Sequence, residues 1–230
     1  MQENIQQDTW KQQVGEAAVR FIEDGMVIGI GSGSTSASMV RALARRINEG
    51  LRIVGAVPTS QETQRLASSL NIPLTDLDTH PELDLNIDGA DEIDPQLNLI
   101  KGGGGALLRE KIVVSASRRF IVIADETKLV PRLNAKAPLP VEVIPFAMTP
   151  VRRRLEALGA TVQLRQRGNT VYLTDNGNII FDCSFTGGIV NPADMHDRIH
   201  SIVGVVDTGL FLNMAAQAII AGVDGVKILP

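Results

Sequence analysis

The strongest constraint on this chain is an alternation that runs through its first half. Four short apolar runs, Met26–Ile30, Ile53–Val57, Leu83–Ile87 and Phe120–Ala124, are separated by segments with helical spacing. Ser34–Ile47 repeats Met39, Val40, Leu43 and Ile47 on one side, Gln61–Leu70 does so with Thr63, Leu66, Ala67 and Leu70, and Ala106–Ala116 forms a third helical segment. Runs that are apolar throughout, rather than alternating, belong to strands buried on both faces. The intervening helices supply the cover, and such a series closes into a parallel sheet.

After about Pro131 the pattern changes. "NAKAPLPVEVIPFAMTP" holds four prolines and reads as a crossing segment. A helix (Pro150–Leu158) and a strand (Thr161–Leu164) follow. Next comes a hairpin turning at Asp175-Asn176-Gly177-Asn178 between "TVYLT" and "IIFDCSF", then a helix at Asp194–Ile202. This βαββα content describes a small α+β subdomain, and the glycine-punctuated Gly204–Pro230 is expected to rejoin the main sheet. The fold class expected is α/β: a Rossmann-like parallel-sheet core over residues 1–133 and 206–230, with a smaller α+β lid subdomain over 134–205.

Composition narrows the function classes. A formal net charge of −4 and 3% aromatic residues argue against a nucleic-acid partner, which would want a basic face or stacking platforms. The single cysteine, Cys183, forms no intramolecular disulfide and fits a reducing cytoplasm. The opening "MQENIQQDTWKQQ" is too polar for a signal peptide, and Leu210–Ala221 is too short and interrupted for a membrane span.

Ligands of parallel α/β sheets collect at the carboxyl ends of the strands, and three such ends are unusual here. Gly29-Ile30-Gly31-Ser32-Gly33-Ser34-Thr35 joins a strand to a helix with glycines and hydroxyls, a composition suited to a phosphate at a helix start. It lacks the third glycine of a dinucleotide fingerprint and the lysine of a P-loop, which favours a small phosphate ester; the plain alternative is a tight turn capped by Ser34 or Thr35. Asp88-Gly89-Ala90-Asp91-Glu92-Ile93-Asp94 sets four carboxylates in seven residues. They repel unless something relieves them. The spacing does not match a calcium loop; a magnesium site and a solvated acidic turn both remain open. Lys101-Gly102-Gly103-Gly104-Gly105 places a cation before four glycines, and the helix after it carries Arg109, Glu110 and Lys111. A buried lysine beside amide donors suits a developing oxyanion, and a nearby carboxylate suits a general base. The alternative is a flexible linker followed by a charged helix face. His196 and His200 are four apart on a helix without an evident third ligand, so zinc is not expected. Cys183 reads as packed rather than nucleophilic.

Together these loops resemble ribose-5-phosphate isomerase, type A. The matching pieces run in order over nearly the whole chain: "GIGSGST" at 29–35, "IDGADEID" at 87–94, "KGGGGALLREKIV" at 101–113, "IADETK" at 123–128, "PLPVEVIPFA" at 138–147, "TDNGNIIFD" at 174–182 and "GLF" at 209–211. Ser32 stands where the family often has threonine and keeps the hydroxyl; the polar N-terminal stretch is longer than expected and has no evident role. The resemblance implies interconversion of D-ribose 5-phosphate and D-ribulose 5-phosphate, no metal or organic cofactor, a homodimer, and a ferredoxin-like lid. It places the general base on Glu110. Substrate-binding segments fall on Ser32, Gly33, Ser34 and Thr35, on Asp88, Gly89, Ala90 and Asp91, on Lys101, Gly102, Gly103 and Gly104, and on Lys128. Lys101, Asp88 and Asp91 would assist the chemistry, and Lys128 and Lys11 are candidate phosphate contacts. A sugar-phosphate sensor on a related core would need no Glu110, and a coenzyme A transferase-like enzyme would use it as a nucleophile.

Overall fold

The computed structural model describes residues 2–230, with side chains from Gln6 onward; of the polar opening run, Met1 lies outside the described residues. The chain groups into two compact units, Met1–Ala90 with Arg109–Lys128 and Met214–Pro230, and Asp91–Leu108 with Leu129–Asn213. Elements are numbered along the chain.

The first unit is built on a six-stranded sheet: β1 (Val27–Ile30), β2 (Gly55–Pro58), β3 (Leu85–Gly89), β6 (Phe120–Asp125), β14 (Gln217–Gly222) and β15 (Gly225–Leu229). Its order is β15-β14-β6-β3-β1-β2, parallel throughout except for the β14–β15 hairpin at one edge. β1, β3 and β6 have neighbours on both edges and are buried along nearly their whole length, which is why their sequences are apolar without alternation. The chain leaves β1 toward β2 on one side and later returns to β3 on the other. The order reverses there, and such a switch point opens a crevice at the strands' carboxyl ends.

One face of this sheet carries Ile28, Ile30, Leu85, Ile87, Ile121, Ile123 and Ile219 against helices α1 (Gln2–Ala18), α2 (Gly33–Asn48) and α3 (Gln61–Ser69). α2 contributes Met39, Val40 and Leu43, as its spacing predicts. α3 is capped by Ser60, whose side chain accepts from the Thr63 amide. The other face packs Val27, Val57 and Leu83 beneath Val113 of α4 (Leu107–Ser115). α1 departs from the sequence expectation, which gave the polar opening no role. Trp10, Val14 and Ala18 fall at i, i+4 and i+8 and seat a narrow apolar stripe in the core. At Gly15, α1 lies directly against the α2 backbone at Ser38 and Met39.

The second unit holds two sheets. β4 (Glu92–Ile93), β5 (Leu99–Ile100) and β13 (Leu210–Phe211) form a small antiparallel ribbon in the order β13-β5-β4. β7 (Leu139–Val143), β8 (Ala160–Leu164), β11 (Ile179–Phe185) and β12 (Val205–Thr208) form an antiparallel sheet in the order β12-β7-β11-β8. With α5 (Met148–Ala157) after β7 and α6 (Pro192–His200) after β11, this is a ferredoxin-like βαββαβ arrangement. Val151, Leu155, Ile199 and Ile202 pack on Val141, Val143, Phe181 and Cys183.

Two details differ from the sequence expectation. The turn at Asp175–Asn178 forms, with Thr174 N–H donating to Asn178 O at 2.8 Å and Gly177 at positive φ, but "TVYLT" does not pair with "IIFDCSF". Both edges of β11 are taken by β7 and β8, so β10 (Thr170–Val171) folds back on β9 (Gln166–Arg167). The return to the core also comes later than residue 206. Val205–Thr208 completes the ferredoxin-like sheet on β7, and only from Gln217 does the chain re-enter the main sheet. Residues 91–108 group with the second unit because β5 pairs with β13 and Lys101 N–H donates to Gly209 O at 2.9 Å.

Gly15 gives a test of the α1–α2 packing. A Cβ there would lie 2.8 Å from the backbone nitrogen of Met39, which no rotamer change can move. Gly15→Ala raises helix propensity by about 0.5–1 kcal/mol, but overpacking costs about 1–3 kcal/mol. The variant is expected to unfold at lower urea concentration than the wild type; a higher midpoint would show that α1 shifts freely on α2.

Candidate active site

In the core unit the switch point is organised around one carboxylate. Asp88, next to last in β3, is fully buried, and its Oδ1 accepts from Ser32 N–H at 3.0 Å, the Ser36 hydroxyl at 2.9 Å and Gly89 N–H at 2.7 Å. A Cβ on Gly31 would sit 1.8 Å from that oxygen, so the glycine there is a requirement of close approach. Gly31 N–H donates to Ile87 O at 3.0 Å and ties the two loops together. α2 begins at Gly33, whose φ of +89° suits glycine, and the Ser32 side chain does not cap it. The first turn of α2, with Gly33 and Ser34 exposed and Thr35 half-buried, opens at the sheet's carboxyl end.

The Ser32 hydroxyl points elsewhere. It lies 2.7 Å from Thr59 Oγ1, 2.7 Å from Ser60 Oγ and 3.2 Å from Thr63 Oγ1, while Thr63 donates to Gly31 O at 3.0 Å. This shelf of hydroxyls, from the end of β2 and the start of α3, was missed in the sequence. The signal was present: Thr59-Ser60 follows a strand and opens a helix, as Ser34-Thr35 does. Gly89 completes the cluster, since a Cβ there would stand 3.6 Å from Ser36 Oγ and 3.9 Å from Thr35 Cβ. Ala90 is half-buried beside it, and Lys128 lies in a single helical turn directly after β6, the neighbour of β3. Glu110, 4% exposed, sits in the first turn of α4, where the helix dipole favours a negative charge. Lys11 is paired with Asp8 on α1 at 3.2 Å.

In the second unit the glycine loop is clamped. Asp91 Oδ2 accepts from Gly103 N–H at 2.7 Å, and a Cβ on Gly103 would lie 2.6 Å from Asp91 Oδ1. Arg165 donates to Gly102 O at 2.7 Å and Gly103 O at 3.1 Å while pairing bidentately with Asp182. The Tyr172 hydroxyl donates to Gly104 O at 3.3 Å; burial, and after it the Asp175 carboxylate, push its phenol above the ordinary value, so it stays protonated near neutral pH. Lys101 is 2% exposed, and its ammonium stands 5.4 Å from the centre of the Phe211 ring, a cation–π arrangement. The loop is therefore not a flexible linker. Arg165 and Tyr172 carry no local motif, and sequence reasoning had no signal for them; Asp182 and Phe211 end the matched pieces "TDNGNIIFD" and "GLF" but were given no role there.

The acidic run is not a solvated turn either. Asp88 and Asp91 have the donors just described. Glu92, fully buried, accepts from the backbone N–H groups of Asn134, Lys136 and Ala137. Asp94 accepts from the N–H groups of Gln96 and Asn98. Repulsion is relieved because the carboxylates diverge to separate donors. Among the described residues, no group of three or more histidine, cysteine, aspartate or glutamate side chains is placed to hold a metal ion. His196 instead pairs with Thr208 and stacks near His200, and burial pushes the Cys183 thiol up to about 12, which leaves it unreactive.

A parallel α/β core with glycines, hydroxyls and a buried carboxylate at its switch point defines the class of small phosphorylated-metabolite proteins. The ribose 5-phosphate isomerase A (phosphoriboisomerase A) model matches residues 55–225, and the chain belongs to this family. It is 51% identical over 217 residues to the ribose-5-phosphate isomerase A of Bacillus mycoides, covering 94% of this chain and 97% of that one. It is 52% identical over 219 residues to that of a Roseiflexus species, covering 94% of each. Its fold matches the structure of ribose 5-phosphate isomerase A from Methanocaldococcus jannaschii with a TM-score of 0.91 at 40% identity, over 96% of this chain and 98% of that one. It also matches a D-ribose-5-phosphate isomerase solved in complex with phospho-erythronic acid, with a TM-score of 0.93 at 41% identity and the same coverage.

The clamp on the glycine loop is testable. Arg165→Met leaves Asp182 without its guanidinium at a site where both side chains are less than one-fifth exposed, which is expected to cost on the order of 3 kcal/mol. Hydrogen exchange at the amides of Gly103 and Gly105 should accelerate beyond the global loss of stability. Exchange that changes only with global stability would show that Arg165 does not hold the loop.

Proposed function

We propose that this chain interconverts D-ribose 5-phosphate and D-ribulose 5-phosphate through an enediolate, the non-oxidative pentose phosphate step, with Glu110 as the base. The observation that carries the reading is Glu110 itself: a buried carboxylate, in the helix that follows the glycine loop, in a chain of this family. Glu110 removes the proton from C2 of the aldose, and the electrons of that bond form the C1–C2 double bond of the enediolate. Returning the proton to C1 gives the ketose, so a single carboxylate serves both half-reactions. A second proton passes between the two sugar oxygens, a shuttle assigned to Asp88 or Asp91. Lys101 and the amides of Gly102, Gly103 and Gly104 are the donors for the enediolate oxygen, where charge appears only as the reaction proceeds.

The phosphate is assigned to the first turn of α2, Gly33, Ser34 and Thr35, with Lys128 as a further contact. Two supports favour it: the amides at the α2 start are not capped by the Ser32 side chain, and the helix dipole favours an anion there. Because the Ser32 hydroxyl is engaged with Thr59 and Ser60, its role is to shape this loop. Lys11, paired with Asp8, is dropped as a phosphate contact. Gly89 and Ala90 are small residues that let the sugar approach Asp88. The chemistry calls for no metal or organic cofactor. No helix among the described residues is long and apolar enough to cross a membrane, and a cytoplasmic homodimer is proposed. A binding-only sensor gives no reason to bury Glu110, and a coenzyme A transferase gives none for a small-phosphate loop.

The direct test is incubation with ribose 5-phosphate followed by assay of the ketose. Glu110→Gln should fold and lose about two to four orders of magnitude in turnover; near wild-type activity would refute the assignment. Thr35→Val keeps shape and removes one donor. Losing a hydrogen bond to a charged group costs about 1.5–3 kcal/mol, roughly 10- to 150-fold in affinity for the sugar phosphate. Binding of ribose without phosphate should hardly change. Equal losses for both ligands would move the phosphate elsewhere.

A further inference from the structure

Asn86 is the second residue of β3, two residues before Asp88, and its side chain is fully buried. Among the described residues, neither its side-chain Nδ2 nor its Oδ1 has a hydrogen-bond partner. A buried amide left in this condition costs more than an ordinary hydrogen bond returns, so native chains place a bound water or a function there. The surroundings supply little. Its register partners are Phe120 and Gly29, with Val57 next across the sheet, and the backbone at this level is consumed by the parallel ladder. Above it stands α4. A Cβ on Gly29 would lie 2.4 Å from Asn86 Oδ1 and 2.5 Å from Val113 Cγ1, so the two side chains meet over the bare glycine.

α4 runs back along β3: Leu83 N–H donates to Ala116 O at 2.8 Å, which fixes the helix's end at the strand's beginning. Glu110 precedes Val113 by three residues on the same face, about 4.5 Å up the axis toward the carboxyl ends. Asp88 lies about 6.6 Å beyond Asn86 in that direction. The Glu110 carboxylate thus belongs to the level between Asn86 and Asp88, on the same face of the sheet, and its Oε2 is withdrawn from solvent. Asp88 Oδ1 already accepts three donors.

We propose that Asn86 is a positioning residue for Glu110, acting through one buried water that bridges the Asn86 amide and the Glu110 carboxylate. A buried water typically makes about three hydrogen bonds and satisfies groups that cannot reach each other. Here it accepts from Asn86 Nδ2 and donates to Glu110, holding the carboxylate in one orientation while the proton leaves one carbon and returns to the next. The proposal rests on the reading of Glu110 as the base, and predicts an effect on the chemical step rather than on substrate affinity.

Asn86→Leu, nearly isosteric and apolar, tests it beside Asn86→Ser, which keeps a group able to bind water. Asn86→Leu is expected to unfold at an equal or higher urea concentration, since no protein hydrogen bond is lost. Its kcat should fall about 10-fold or more, with KM nearly unchanged and a larger isotope effect with substrate deuterated at C2. Asn86→Ser should recover part of the kcat. A high-resolution crystal structure of the wild type should show a water about 3 Å from Asn86, absent in Asn86→Leu. Unchanged kcat in a folded Asn86→Leu, KM rising in step with the loss of kcat, or a dry site in the wild type would each overturn the proposal. Should Asn86→Leu not fold, Asn86→Ala and the wild-type water decide it. These outcomes are separate from the fate of Glu110→Gln, which tests the base alone.

Discussion

The core unit depends on one buried carboxylate. Removing the Asp88 charge from water is unfavourable unless hydrogen bonds replace those lost. The chain meets that demand with the Ser32 amide, the Ser36 hydroxyl and the Gly89 amide, all converging on Oδ1. Each donor constrains something else. The Ser32 amide must reach across from β1, so residue 31 has no space for a side chain. Ser36 must lie within the first turn of α2, which fixes where that helix begins and which of its amides face outward. Gly89 brings its amide back onto the same oxygen and leaves the approach from the strand end uncrowded. The arrangement of the switch-point loops follows from satisfying one acid.

The same logic runs through the rest of the acidic stretch in the second unit. Asp91 holds the Gly103 amide, Glu92 gathers three amides of residues 134–137, and Asp94 closes its own turn through Gln96 and Asn98. Carboxylates spaced one to three residues apart would destabilise each other on a common surface. Directed to separate donors, they instead become anchors for three different segments. The chemistry proposed for Asp88 and Asp91 uses side chains that are already ordered, which limits the reorganisation needed as charge develops.

The parallel core was legible because buried strands have no polar face to disguise them: "MVIGI" and "FIVIA" name themselves, and the helices between them show their period. α1 was not, because its buried stripe is small residues and one tryptophan in a polar background. The turn at Asp175–Asn178 was legible from its residues, but its strand partners were not. Turn chemistry is local, whereas β11 pairs with whichever strands the surrounding sheet provides. Glu110, Lys101 and the glycine run stood out through composition and family likeness. Arg165 and Tyr172 did not, since a side chain reaching sixty residues back to hold a carbonyl leaves no trace in its own neighbourhood.

The four glycines at 102–105 are uneven in what they are for. Gly102 has φ of +99° and Gly105 φ of +86°, and a Cβ on Gly105 would collide with the Tyr172 ring. Gly103 lies against Asp91. Three of the four are thus required by backbone conformation or by a neighbour within the second unit, and their entropic cost on folding is explained by packing alone. Gly104 differs: a Cβ there would meet nothing within 4 Å. Its carbonyl is held by Tyr172, so the peptide is oriented even though the space beside it is open. An ordered backbone next to empty space is a poor use of glycine unless something outside the chain must come close. Substrate approach, the role proposed for Gly104, is a demand that the fold does not already make of it, whereas Gly102, Gly103 and Gly105 are accounted for by the structure.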